Sequence, residues 1–267
     1  MVNSTLRKLD ISGFNIVLSV LVLILVLYII YPFFGLLFVI EPTNLVESLK
    51  RTEILDSVIL SLTTATISTT LISIFGIPLA FVIARFQFKA KFLIRMIVIL
   101  PLVLPPLASG TMLLGVFGPY SFLGKMIPVE FTQSFLGIII AQTYVASPFL
   151  ILPIQAAFES IPERYETVAR TLGKKKWQVF FIVSLPLAKI GILIGLLMAW
   201  IRSIGELGAT IMMAYNPHTI SIQIFEDSAI GGIRNSVAGI ILVIIIALVA
   251  LTIFVLIRRQ RVLKFGW

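Results

Sequence analysis

The chain has 267 residues, 59% hydrophobic and 12% charged, with a mean hydropathy of +1.09 and a formal net charge of +9. A soluble domain carries about 25% charged residues, so this composition excludes an ordinary soluble protein and leaves no room for a large soluble domain. Cysteine is absent, which excludes disulfides, thiolate metal sites and thiol catalysis.

Crossing a ~30 Å hydrocarbon core takes about 20 apolar residues in a helix. Six stretches meet this, approximately 14–40, 57–84, 92–114, 135–157, 183–214 and 237–257. They predict an all-α integral membrane fold of six transmembrane helices in one domain, 1–267. The first is longer than a signal-peptide core and lacks a small-x-small cleavage pattern, so it is expected to be retained.

Orientation follows from the basic residues. The N-terminus, the 85–96 turn, the 159–181 stretch and the C-terminus hold Arg7, Lys8, Arg85, Lys89, Lys91, Arg95, Arg164, Arg170, Lys174, Lys175, Lys176, Arg258, Arg259, Arg261 and Lys264. The alternate loops hold Lys50, Arg51, Lys125 and Arg234. This alternation predicts cytoplasmic termini and a cytoplasmic 159–181 stretch; with charge explained by membrane orientation, no nucleic-acid partner is expected. The outer loops 41–56, 115–134 and 215–236 are acidic (Glu41, Glu47, Glu53, Asp56, Glu130, Glu226, Asp227). They read either as a solvated face or as a docking surface for an external partner. His218 has no neighbours of metal-ligand type and reads as solvated.

The third stretch contains Leu100-Pro101-Leu102-Val103-Leu104-Pro105-Pro106-Leu107-Ala108-Ser109-Gly110-Thr111. Proline lacks an N–H and clashes with the carbonyl four residues back, so the helix must bend or break. Such backbone is tolerated at membrane depth only when buried in protein or facing a water-filled cavity. A restart at Pro106 would leave donors at about Leu107 to Ser109, with Ser109 and Thr111 hydroxyls beside them, which suits an anion. The other reading is a kink whose small residues, Gly110 among them, serve helix packing. The polar Gln142, Thr143, Ser147 and Gln155 of the fourth stretch read as interhelical hydrogen-bonding groups.

Residues 159–186 carry three acids, five bases and Gly173 amid apolar positions Val168, Leu172, Val179, Ile182 and Val183. The spacing predicts two short amphipathic helices hinged at Gly173, with Pro162 and Pro186 in first helical turns. In the fifth stretch Arg202 and Glu206 are four apart, on one helical face, and can pair. Each charge costs at least ~2.5 kcal/mol inside a membrane and faces protein or an aqueous path. Sixteen residues past Pro186, at about 1.5 Å each, put Arg202 ~24 Å along, near the outer end. The pair reads either as a gate in a passage or as a structural tie.

The run Thr167-Val168-Ala169, Gly173 and Val183-Ser184-Leu185-Pro186 resembles the EAA loop of importer-type ABC transporter permeases, whose pattern is Glu-Ala-Ala, three residues, Gly, nine residues, Ile-x-Leu-Pro. Ala169, Gly173, Leu185 and Pro186 match; Thr167 stands at the Glu position, with Glu166 one place upstream. The proline-rich segment above, together with Arg202-Ser203-Ile204-Gly205-Glu206-Leu207-Gly208-Ala209-Thr210, resembles the molybdate/tungstate branch of the oxyanion permeases. Leu207 replaces that branch's usual aromatic.

The resemblance implies a type I ABC importer permease fold in a prokaryotic inner membrane, with a second copy of the chain. It further implies two cytoplasmic ATP-binding cassette subunits holding ATP and magnesium, an external solute-binding protein, and a tetrahedral oxyanion as cargo. Glu166, Thr167, Ala169, Gly173, Leu185 and Pro186 would couple to the motor. Pro105, Pro106, Ser109, Gly110, Thr111, Arg202 and Glu206 are the pathway candidates. The chain shows no phosphate-binding loop and no catalytic constellation, so no enzymatic activity or cofactor of its own is expected. The alternatives are a sulfate or thiosulfate permease of the same class, a secondary transporter or channel without an ATPase, and a membrane anchor.

Overall fold

A computed structural model of the protein describes residues 13–40 and 42–265, the side chains of 42–44 and of 258–265 excepted. Arg7, Lys8, Glu41 and the side chains of Arg258, Arg259, Arg261 and Lys264, used above to read orientation, lie outside the described residues. Every regular element among the described residues is a helix. By contacts the chain falls into two units, Met1–Glu47 and Ser48–Trp267.

The first unit holds α1 (Gly13–Val39), apolar on every face apart from Asn15 and Ser19 near its start, with Pro32 inside it. A helix with no polar face is suited to lipid or to a protein core. The short α2 (Pro42–Leu49) runs across the boundary into the second unit.

The second unit begins with α3 (Thr52–Arg85), whose pattern is inverted relative to a soluble helix. Its buried face is small and polar, with Ser57, Ser61, Thr64, Ala65 and Ser68, while Ile59, Ile74 and Phe75 are exposed. Lipid is as apolar as leucine, so membrane helices gain from close backbone approach and interhelical hydrogen bonds. Ser68 does both: its Oγ donates to Gln142 Oε1 at 3.1 Å on the central α7 (Phe135–Ser160). A third helix, α11 (Lys189–Ile204), comes so near α7 that a Cβ on Gly195 would sit 2.8 Å from the Leu150 carbonyl oxygen. Ile72, Leu150, Ile154, Phe158 and Ala199 form the core among these three helices.

Two of the six expected stretches are not single helices. The third is split at Leu104 and Pro105 into α4 (Lys91–Val103) and α5 (Pro106–Phe117), followed by α6 (Phe122–Met126). The fifth is split more deeply. After α8 (Arg164–Thr171) come α9 (Lys176–Val179), a π-helical turn over Phe180–Ser184 and α10 (Leu185–Leu187). The chain then bends by 74° into α11 and breaks again before α12 (Gly208–Met213). The last helix, α13 (Ile220–Phe265), is kinked at Gly232, which has φ +70. Among the described residues, five helices are long and apolar enough to cross a membrane, or six when the bent pair counts as one span.

The start of α13 is tied to α3. The Ile220 amide donates to Ser61 Oγ at 2.8 Å, and Arg51 meets the buried Asp227 at 3.3 Å.

Candidate functional site

Residues 161–188 form a polar excursion between α7 and α11. The first part, α8, ends in a Schellman turn, with Lys174 N–H donating to Ala169 O at 3.1 Å and Gly173 N–H to Arg170 O at 3.0 Å. That geometry requires a left-handed residue, and Gly173 supplies it with φ +84. On the far side, the Lys175 amide donates to Gln178 Oε1 at 2.8 Å and opens α9. The two helices hinged at Gly173 thus have a backbone explanation.

The sequence-predicted residues of this excursion divide by surroundings. Gly173 and Thr167 are exposed, the Thr167 hydroxyl donating back to Glu163 O at 3.2 Å. Ala169 is half-buried, and Leu185 packs against the main core. Pro186 is exposed and lies before the bend, not at the start of the spanning helix, because the break falls at Ala188. Tyr165, Val168, Leu172 and Trp177 project outward, Leu172 with 77% of its surface free.

Glu166 turns inward. Its Oε1 accepts from Arg85 Nε at 2.8 Å and from Ser184 Oγ at 3.0 Å, and Arg85 Nη2 also donates to Ile161 O at 3.0 Å. A second tie joins Arg95 Nη2 and Gln155 Nε2 to Glu159 Oε1 at 2.7 and 2.9 Å. From the sequence Arg85 is only one of the orienting basic residues, and nothing in the sequence pairs Ser184 with Glu166. The available signal was an arginine at the very end of an apolar span with an acidic helix start downstream.

The second set of residues lies where two spans are broken. Leu104 and Pro105 are extended, and α5 restarts at Pro106, where a missing N–H costs nothing. The Ser109 amide, expected to be a free donor, is bonded to Pro105 O at 3.0 Å. A Cβ on Gly110 would lie 2.7 Å from Met212 Cβ, and one on Gly208 would lie 2.6 Å from Pro106 Cβ. The two breaks therefore face each other, and both glycines are used for packing α12 against α5. Ser109 is fully buried in that contact and its Oγ has no partner. Thr111 faces away, exposed, its hydroxyl bonded to Leu107 O at 3.0 Å.

Arg202 and Glu206 pair, at 2.6 Å between Nη2 and Oε2, but not along a continuous helix. α11 stops at Ile204, and Glu206 stands in the break, where its Oε1 accepts the Ala209 N–H at 2.7 Å. The carboxylate thus neutralises Arg202 and also satisfies the start of α12. Glu206 is 1% exposed, and the Arg202 guanidinium lies 5.7 Å from the Phe149 ring centroid. Because the spanning helix begins at Lys189, Arg202 is about 20 Å along it, deeper than the distance from Pro186 suggested. His218 is half-buried rather than solvated, its ring edge-on to Tyr215 at 4.9 Å.

Residues 76–263 match the family described as binding-protein-dependent transport system inner membrane component. The chain belongs to that family. It is 41% identical over 202 residues to a probable molybdenum ABC transporter permease protein of Haloferax volcanii, covering 76% of this chain and 75% of the relative. It is 35% identical over 238 residues to the molybdate/tungstate transport system permease protein WtpB of Pyrococcus furiosus, covering 88% and 90%. The fold of this inner membrane component is similar to that of a bacterial alginate ABC transporter solved with an alginate-bound periplasmic protein. That match has a TM-score of 0.71 at 19% identity and covers 91% of each chain. A second alginate-importer structure matches with TM-score 0.70 at 20% identity, over 95% of this chain and 97% of that one.

Proposed function

We propose that this chain is the membrane-spanning subunit of an ATP-driven importer that moves molybdate or tungstate by alternating access. The observation that carries the reading is the exposed, glycine-hinged excursion at 161–188 in a chain whose relatives at 41% and 35% identity bear molybdenum and molybdate/tungstate permease names. Two copies of the chain form the passage, two ATPase subunits bind ATP and magnesium on the cytoplasmic side, and an external binding protein selects the anion. The distribution of lysine and arginine supports cytoplasmic termini and a cytoplasmic excursion. The outward apolar side chains Tyr165, Val168, Leu172 and Trp177 have the character of a surface that seats in another protein.

In this mechanism the binding protein delivers a tetrahedral dianion to the outer side. ATP binding closes the motor subunits, draws the two excursions together and rocks the membrane halves as rigid bodies. Affinity for the anion inside the membrane must stay low, since a tight site would hold the cargo. The facing breaks around Pro106 and Gly208, with Arg202 beside them, supply packed backbone that can part and a cation that can meet the dianion.

The test is uptake into proteoliposomes containing the chain with its ATPase partner. Molybdate or tungstate entry that needs both ATP and the binding protein is expected. Uptake without ATP would replace this reading with a secondary transporter. A binding protein that retains sulfate and rejects molybdate would move the assignment to the sulfate branch.

A further inference from the structure

We propose that Arg85 is the positioning residue through which the coupling excursion moves the membrane domain, so that force enters by way of α3 rather than along the chain into α11. This rests on the transport reading above. The direct covalent route from α8 to α11 passes through the π-helical turn Phe180–Ser184 and the 74° bend at Ala188. A π turn and a sharp break are both places where a helix yields. A push delivered to α8 is absorbed there as bending before it reaches Arg202.

The lateral route enters α3, which carries Pro78 but keeps its helical assignment through it, with no π turn and no bend like that at Ala188. The Arg85 side chain is 7% exposed and that of Glu166 16%, and their contact is 2.8 Å. An arginine fork fixes direction as well as distance, and this one holds Glu166 with Nε while Nη2 holds the Ile161 carbonyl. Ser184, 0% exposed, reaches the same carboxylate oxygen from the π turn. Three segments therefore move with one guanidinium. One turn below, Phe81 of α3 lies edge-on to Phe158 of α7 at 5.2 Å and to Phe180 of the π turn at 4.8 Å, an apolar seal under the ion pair. Beyond that seal α3, 34 residues long in all, continues through Pro78 without a break in its helical assignment, and it packs on α7, α11 and α13. Glu166 is spent internally in this arrangement, which leaves motor contact to the outward apolar side chains.

The experiment uses the complete assembly, permease with ATPase subunits and binding protein, in proteoliposomes with molybdate as cargo. Arg85→Gln, Glu166→Gln and the exchange Arg85→Glu with Glu166→Arg are compared for ATP hydrolysed per anion moved and for thermal stability. Each single variant is expected to raise that ratio by at least about five-fold, the lower end of coupling between distant sites, and the exchange to return it toward the wild-type ratio. Glu166→Gln keeps the shape of the side chain and carries the test if the exchange fails to assemble. A lowered melting temperature with an unchanged ratio in the single variants overturns the proposal and reduces Arg85 to a structural tie. Wild-type assembly that moves no oxyanion under ATP overturns the transport reading itself, and is told apart because the wild type fails.

Discussion

Arg202 and Glu206 show how one residue pair serves two demands. Each charge is costly within an apolar span, and Glu206 offsets both by meeting Arg202 and the Ala209 amide in the first turn of α12 together. Removing one partner of a buried pair costs about 3–5 kcal/mol, because the other is left uncompensated. Arg202→Ala is therefore expected to lower stability by about 3 kcal/mol, toward the lower end because Arg202 keeps 24% of its side chain exposed. Adding Glu206→Gln should recover much of the loss, since the amide oxygen still accepts from Ala209 and no charge remains. Thermal unfolding of the purified variants reads this directly, and a double variant as weak as the single one would show that Arg202 acts through packing on Phe149 instead. The pairing of Arg202 with Glu206 was readable from their four-residue spacing. The break between them was not, because Gly205 and Gly208 are compatible with a continuous helix until α5 is placed against them.

At the scale of the element, the hinge at Gly173 was the most legible feature of the chain. A glycine between two amphipathic runs, followed by a basic cluster, specifies a helix end by local chemistry alone. Most other residues at φ +84 cost about 1–2 kcal/mol, yet nothing lies within 4 Å of where a Cβ would be. Gly173→Glu is thus expected to leave the amount of protein in the membrane near the wild-type level while uptake falls sharply. Gly173→Asn, which tolerates the left-handed region, should be milder. Immunoblotting of membranes alongside molybdate uptake separates the two effects; normal uptake by Gly173→Glu would place motor contact elsewhere. The role of Pro186 was less legible. Proline reads as a helix start, but the helix carrying it began ten residues earlier at Lys176 and ended at the bend two residues later.

For the whole molecule, the testable quantity is sidedness. The chain has no cysteine, so single introduced thiols report cleanly. Lys175→Cys should react with a membrane-impermeant thiol reagent only from the cytoplasmic side, and Lys125→Cys only from outside. The same side for both would contradict the orientation read from the basic residues. The expected orientation is drawn from the sequence because it depends on how many charges each loop carries, not on contacts.

The sequence by itself determined that the chain lives in a membrane, how many apolar stretches it has, and that a polar excursion hinges at Gly173. These depend on composition, on length against a fixed bilayer thickness and on local backbone preference, each of which acts over a few residues. Only the tertiary structure decided that Gly110 and Gly208 bring two broken spans together, that Ser109 is sealed within that contact, and that Arg85 holds Glu166. Those facts depend on which helices are neighbours, and neighbourhood is set by the summed packing of small faces on α3, α5, α7, α11 and α12 rather than by any one segment.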